Sequence, residues 1–188
     1  MSEQKLAAVI YAEGQGPRMD EMLIEVVKRL RQDNLRLAGA VQHNTDDGDR
    51  CRCDMTLEDL TSGRHIDISE KRGPEAQGCR LDSFALEESV GLVAEALASA
   101  APDLLIVNRY GKREAEGHGF RQAIEQAMSD GVAVLVAVSN QQRAAWETFA
   151  SPYSERLNAD IDQIVAWCRQ QGHKSSDDAV AAIGAAAQ

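Results

Sequence analysis

The chain has 188 residues, a formal net charge of −10, 44% apolar residues and only 4% aromatics. That length suits one domain with a full core and scarcely two, and a core so poor in aromatics must be built from Leu, Val, Ile and Ala. The charge repels phosphate backbones and anionic lipid, which argues against nucleic acid or a membrane surface as partner while leaving room for a local basic pocket that takes a small anion.

Leu6 to Ile10 is a continuous apolar run, the pattern of a strand covered on both faces. It has no basic flank and is too short for a signal-peptide core, and no stretch approaches the ~18 apolar residues of a membrane span. The expected location is cytoplasmic, where cysteines stay reduced. A Gly-rich turn follows, Glu13-Gly14-Gln15-Gly16-Pro17, then Met19, Met22, Leu23, Val26, Val27 and Leu30 at helical spacing. Leu37 to Gln42 is a second strand. A strand, turn, helix and strand in this order open a parallel sheet.

Met55 and Leu57, then Ile66 and Ile68, alternate with polar residues around Thr61-Ser62-Gly63, which predicts an inserted antiparallel hairpin. Lys71 to Gly78 is a Gly/Pro loop. Asp82 or Ser83 caps a helix whose stripe is Leu86, Val90, Val93 and Leu97. Leu104 to Val107 is another buried strand, Phe120 to Met128 a helix, and Val132 to Val138 a further strand. Helices around 141–149 and 161–169 close a single domain spanning 1–171. Residues 172–188, rich in Ser, Asp and Ala, are expected to form a flexible tail.

The first turn is the natural place for an anion, because a helix N-terminus presents free N–H groups. A working P-loop needs G-x-x-x-x-G-K-[ST]. Here Gly14 and Gly16 are present, but Pro17 and Arg18 stand where Lys and Ser/Thr belong, and Pro17 removes a donor. Asp20 and Glu21 lie in the first helical turns, where they complement the positive helix end themselves. The turn is either a plain connection or a modified anion site using Arg18, and conventional Mg-ATP binding is disfavoured.

The other candidate site is the end of the Leu104–Val107 strand, since ligands of doubly wound sheets collect at carboxyl ends of strands. The run Asn108-Arg109-Tyr110-Gly111-Lys112-Arg113-Glu114-Ala115-Glu116 is densely charged. Arg109, Lys112 and Arg113 suit an oxyanion, while Glu114 and Glu116 suit a pairing or cation-binding role. Asn108 offers an oxygen without charge and is a poor magnesium ligand.

Several stretches together carry a family resemblance: Val41-Gln42-His43-Asn44, Cys51-Arg52-Cys53-Asp54-Met55, Leu57 to Leu60 with Ser62-Gly63-Arg64, Gly78-Cys79-Arg80-Leu81-Asp82, and Val107 to Arg121. The chain resembles an uncharacterised bacterial family of P-loop-NTPase-like proteins, relatives of the small nucleoside-triphosphatases first described in thermophiles. The resemblance covers about residues 5 to 170. It implies an α/β fold, a three-layer P-loop-NTPase-like, mostly parallel sheet with the antiparallel hairpin inserted. In the active relatives the strand ends Asp-Glu-x-Gly with a further Glu soon after. Asn108 stands at the Asp, Arg109 at the catalytic Glu, Gly111 at the Gly and Glu114 at the later Glu. A guanidinium in place of the water-activating carboxylate reverses the charge and removes the base. Members of the family are often assigned loosely to molybdate transport or metabolism.

The cysteines give a third candidate. Cys51-x-Cys53 opens the hairpin, His43 ends the second strand and Cys79 lies in a Gly-rich loop. If the loops converge, Cys51, Cys53, Cys79 and His43 complete a Cys₃His set suited to zinc or another thiophilic metal. The alternative is small residues in polar loops. Cys168 is expected to pack, and His65 and His118 to be structural or exposed.

The favoured function is a non-hydrolytic or weakly active binding or regulatory protein. It would hold a small oxyanion or nucleotide at Gly14, Gly16, Arg18, Asn108, Arg109, Lys112 and Arg113. The alternatives are a divergent nucleoside-triphosphatase, a hydrolase using Glu114 or Glu116, and a cysteine-dependent metal-binding interaction protein. An acidic surface is compatible with a homodimer, with no interface specified.

Overall fold

The computed structural model describes residues 5–46, 53–70 and 81–172. Their strands are β1 (Leu6–Tyr11), β2 (Leu37–Asp46), β3 (Cys53–Asp59), β4 (His65–Asp67), β5 (Leu104–Tyr110), β6 (Ala133–Ser139) and β7 (Ser154–Leu157). The helices are α1 (Gly16–Gln32), α2 (Ser83–Ser99), α3 (Lys112–Ala115), α4 (Arg121–Ser129), α5 (Arg143–Ala150) and α6 (161–172).

One seven-stranded sheet runs β4-β3-β2-β5-β6-β1-β7. β2, β5, β6, β1 and β7 are parallel to their neighbours in that order. β3 pairs antiparallel with both β2 and β4, so the inserted hairpin extends one edge of the sheet. The strands at the centre are apolar on both sides because both sides are covered. On one face Met19, Leu23, Val26 and Leu30 of α1 pack with Ile164 and Trp167 of α6 against Val9, Ile106 and Leu135. On the other, Leu86 and Val93 of α2, Ile124 of α4 and Trp146 of α5 pack against Leu105, Val107 and Val136. Burying each such side chain contributes about 1.5–3 kcal/mol, which lets alternate residues of one strand serve two cores.

Local chemistry sets the ends. Asp82 caps α2, its carboxylate accepting from the N–H groups of Phe84 at 2.8 Å and Ala85 at 3.2 Å. Gly39 on β2 has φ +108°, and a Cβ there would run into the carbonyl of Ile106 on β5. Only glycine accepts both the dihedral and that approach.

Two features depart from the sequence expectation. β7 has no sequence signal, because Ser-Glu-Arg-Leu is short and polar and becomes a strand only by adding to the edge beside β1. β2 runs on to Asp46, since its last residues have β3 to pair with. The 71–78 loop and residues 173–188 of the expected tail lie outside the described residues. Among the described residues no helix is long and apolar enough to cross a membrane.

Candidate oxyanion site at the sheet mouth

The turn between β1 and α1 is closed by Gln15 N–H donating to Ala12 O at 3.1 Å. α1 starts at Gly16, with Pro17 in its first turn, where a missing N–H costs nothing. Asp20 follows one turn later and is only 1% exposed. A carboxylate so buried requires partners, and it finds them on two strands.

Asn108 Nδ2 donates to Asp20 Oδ1 at 3.0 Å, and Asn44 Nδ2 donates to Asp20 Oδ2 at 2.8 Å. Arg109 Nη2 lies 2.9 Å from Oδ1 and 2.7 Å from Oδ2. The amides are themselves oriented: Gln42 N–H donates to Asn108 Oδ1 at 3.0 Å, and Gln42 Nε2 donates to Asn44 Oδ1 at 2.7 Å. β2, β5 and α1 thus meet in one polar net with an ion pair at its centre.

The guanidinium of Arg109 also lies against the start of α1. A Cβ on Gly16 would come within 3.0 Å of Arg109 Nη2, so Gly16 here makes room for a cation. A positive group at a helix N-terminus is unfavourable by itself, and the Asp20 carboxylate offsets it. Among the described residues Arg109 Nε is buried without a partner, whereas the side chain as a whole stays 38% exposed. The pKa of Tyr11, at the end of β1, is raised by burial, which outweighs the nearby Arg109, and Asp20 adds to the rise. Its hydroxyl therefore stays protonated at neutral pH.

The remaining predicted residues are placed as follows. Gly14, with φ +77°, and Arg18 are exposed in the first turn and helix. Lys112 is 82% exposed, 3.7 Å from Glu116. Arg113 is held by α2, donating to Ser83 Oγ at 2.8 Å and Glu87 Oε1 at 2.7 Å. Glu114 is buried, accepting from the N–H of Gly111 at 2.9 Å and of Phe120 at 3.1 Å. Both oxygens of that proposed base hold the loop from β5 to α4. The structure therefore gathers Gly16, Asn108 and Arg109 around Asp20, and engages Arg113 and Glu114 elsewhere.

Of the proposed thiolate cluster, Cys51 and Cys79 lie outside the described residues, and Cys53 opens β3 opposite Asp46. His43 has different company: its Nε2 is 2.7 Å from Glu58 Oε2, and its ring centroid is 5.1 Å from that of His65. Cys168 is buried, and burial pushes its thiol up to about 12.

Fold and site together define an α/β protein with a mostly parallel seven-stranded sheet and a charge-paired mouth. The chain belongs to the family described as protein of unknown function (DUF2478), whose profile matches residues 6–167. It is also 33% identical over 165 residues to "Molybdenum import ATP-binding protein ModC 2" of Bradyrhizobium diazoefficiens, a match covering 88% of this chain and 18% of that protein. The chain therefore spans less than a fifth of that relative's length. No solved structure matches the chain at a significant level.

Proposed function

We propose that the chain is a binding or regulatory unit that takes a small oxyanion or a nucleotide at the mouth of a P-loop-type sheet, without efficient hydrolysis, and that serves molybdate handling. The observation that carries this is the Arg109–Asp20 pair against the start of α1. A triphosphatase needs a lysine, a hydroxyl and carboxylates for magnesium and water at this place. This chain has Pro17, Arg18, Asn108 and Arg109 there. Asp20 acts as a resident anion on Arg109, and an incoming oxyanion would take its place, with Arg18 exposed on the same helix end as a second cation. The context comes from the relative, whose name couples ATP binding to molybdenum import. Descent from the thermophile-type triphosphatases belongs to the same proposal.

Isothermal titration of the reduced full-length chain with molybdate, tungstate, sulfate, phosphate, ATP and GTP, with and without magnesium, tests it. The expected result is binding of at least one of them, weakened by Arg109→Gln, without magnesium-dependent phosphate release above background. No heat with any ligand removes the reading, and robust turnover replaces it with the hydrolase.

A further inference from the structure

The geometry points to a transition-metal site made by His43, Glu58 and His65, at the opposite edge of the sheet from β7 and sharing no residue with the mouth. The register of the hairpin builds it. Val41 is paired with Glu58, and Glu58 with His65, while His43 is two residues beyond Val41 on β2. Side chains two apart on a strand, and those directly opposed across strands, share a face. The potential ligand atoms of the three residues all lie within 4.8 Å of one another.

The chemistry of the set is that of a divalent cation of the zinc, cobalt or nickel class: two imidazoles and one carboxylate, leaving at least one position open. Two supports make it more than a chance cluster of polar groups. Glu58 is largely buried, and Arg31 Nη1 donates to its Oε1 at 2.7 Å, which fixes the carboxylate and leaves Oε2 toward His43. A ligating carboxylate oriented from behind by a hydrogen-bond donor is the usual outer shell of such sites.

With metal–ligand bonds of about 2.0–2.2 Å, ligand atoms in a tetrahedron stand about 3.3 Å apart. Binding therefore opens the 2.7 Å His43–Glu58 hydrogen bond by about half an ångström, replacing its proton with the metal, and draws in His65, which is exposed and whose ring already lies 5.1 Å from that of His43.

The test is a cobalt(II) titration of the chelator-stripped, reduced full chain, followed by its d–d absorption and by zinc competition. The expected result is one ion per chain with no thiolate-to-cobalt charge-transfer band. Affinity should fall by at least about tenfold in His65→Ala and in His43→Gln, and should be unchanged in a triple variant with Cys51, Cys53 and Cys79 all replaced by Ser. His65→Ala is surface-exposed and should keep the far-ultraviolet spectrum of the wild type, so its effect reads on the site. Absence of binding, binding indifferent to His65→Ala, or binding lost with the cysteines overturns the assignment.

Discussion

Replacing Asp20 probes the net at the mouth directly. In Asp20→Ala the guanidinium of Arg109 loses its counter-charge, and the Nδ2 groups of Asn44 and Asn108 lose their acceptor. Breaking a buried pair costs about 3–5 kcal/mol. Arg109 is 38% exposed and turns toward water, which discounts the value to the lower end, about 3 kcal/mol. Asp20→Asn should cost less, and the reason is geometric. The amide introduced there could donate to Asn44 only if Asn44 presented its oxygen, and a joint flip of Asn44 and Gln42 allows that because their mutual bond survives the reversal. Asn108 cannot flip, since its oxygen accepts from the Gln42 N–H, but it does not need to. What is lost is the charge and the Arg109 bond to the oxygen that becomes the NH₂, leaving Arg109 Nη2 on Oδ1 alone, at about 1–2 kcal/mol. Urea unfolding followed by the buried Trp146 and Trp167 measures both. For a chain of this size the alanine variant should melt about 6–12 °C lower. It should also recover more stability than the wild type on adding sulfate or molybdate, because a freed guanidinium binds an anion in the folded state alone. An alanine variant within about 1 kcal/mol of wild type, or an asparagine variant as damaged as alanine, refutes the reasoning.

Glu114→Gln leaves one acceptor oxygen for two backbone N–H groups and turns an NH₂ toward one of them. The expected loss is about 1–3 kcal/mol in thermal unfolding, whereas a catalytic role would show as lost phosphate release at unchanged stability. Cys168 should shape the alkaline limb. With the folded thiol near 12 and the unfolded one near 9.0, the unfolded chain loses its proton first. Its contribution is thus fully present below about pH 9 and is lost at up to ~1.4 kcal/mol per pH unit toward pH 12. Cys168→Ala should flatten that limb in pH-dependent denaturation, and superimposable limbs would refute the claim.

Much of the architecture was legible because apolar runs and helical spacing report burial directly: β1, α1, the start of β2, the hairpin, α2, β5, α4 and β6 all follow from them. β7 carries no such pattern. At the mouth, Asn108 and Arg109 were legible as a change of charge at a strand end. Asp20 reads from sequence as serving the helix dipole, since no local rule links it to a residue 89 positions away. The same limit applies to His43, which groups with the cysteines in sequence when strand register sets it beside Glu58 and His65. One signal was available: Glu58 and His65 are symmetrically placed about the turn after β3, so an antiparallel hairpin pairs them. His65, judged alone, carries no signal because its partners arrive only with that pairing.

An internal anion changes what the mouth of this sheet can sense. Under the proposed function, an oxyanion takes the place of Asp20 on Arg109 Nη2, so its affinity is reduced by whatever the pair is worth. Each increment of about 1.4 kcal/mol in that pairing lowers the affinity tenfold, which tunes the site to abundant or multiply charged ligands and rejects weak ones. The displaced carboxylate is fixed to α1, and Asn44 and Asn108 tie that helix to β2 and β5. Exchange of one anion for another therefore loosens the contact between a helix and two strands, a larger mechanical consequence than filling an empty pocket.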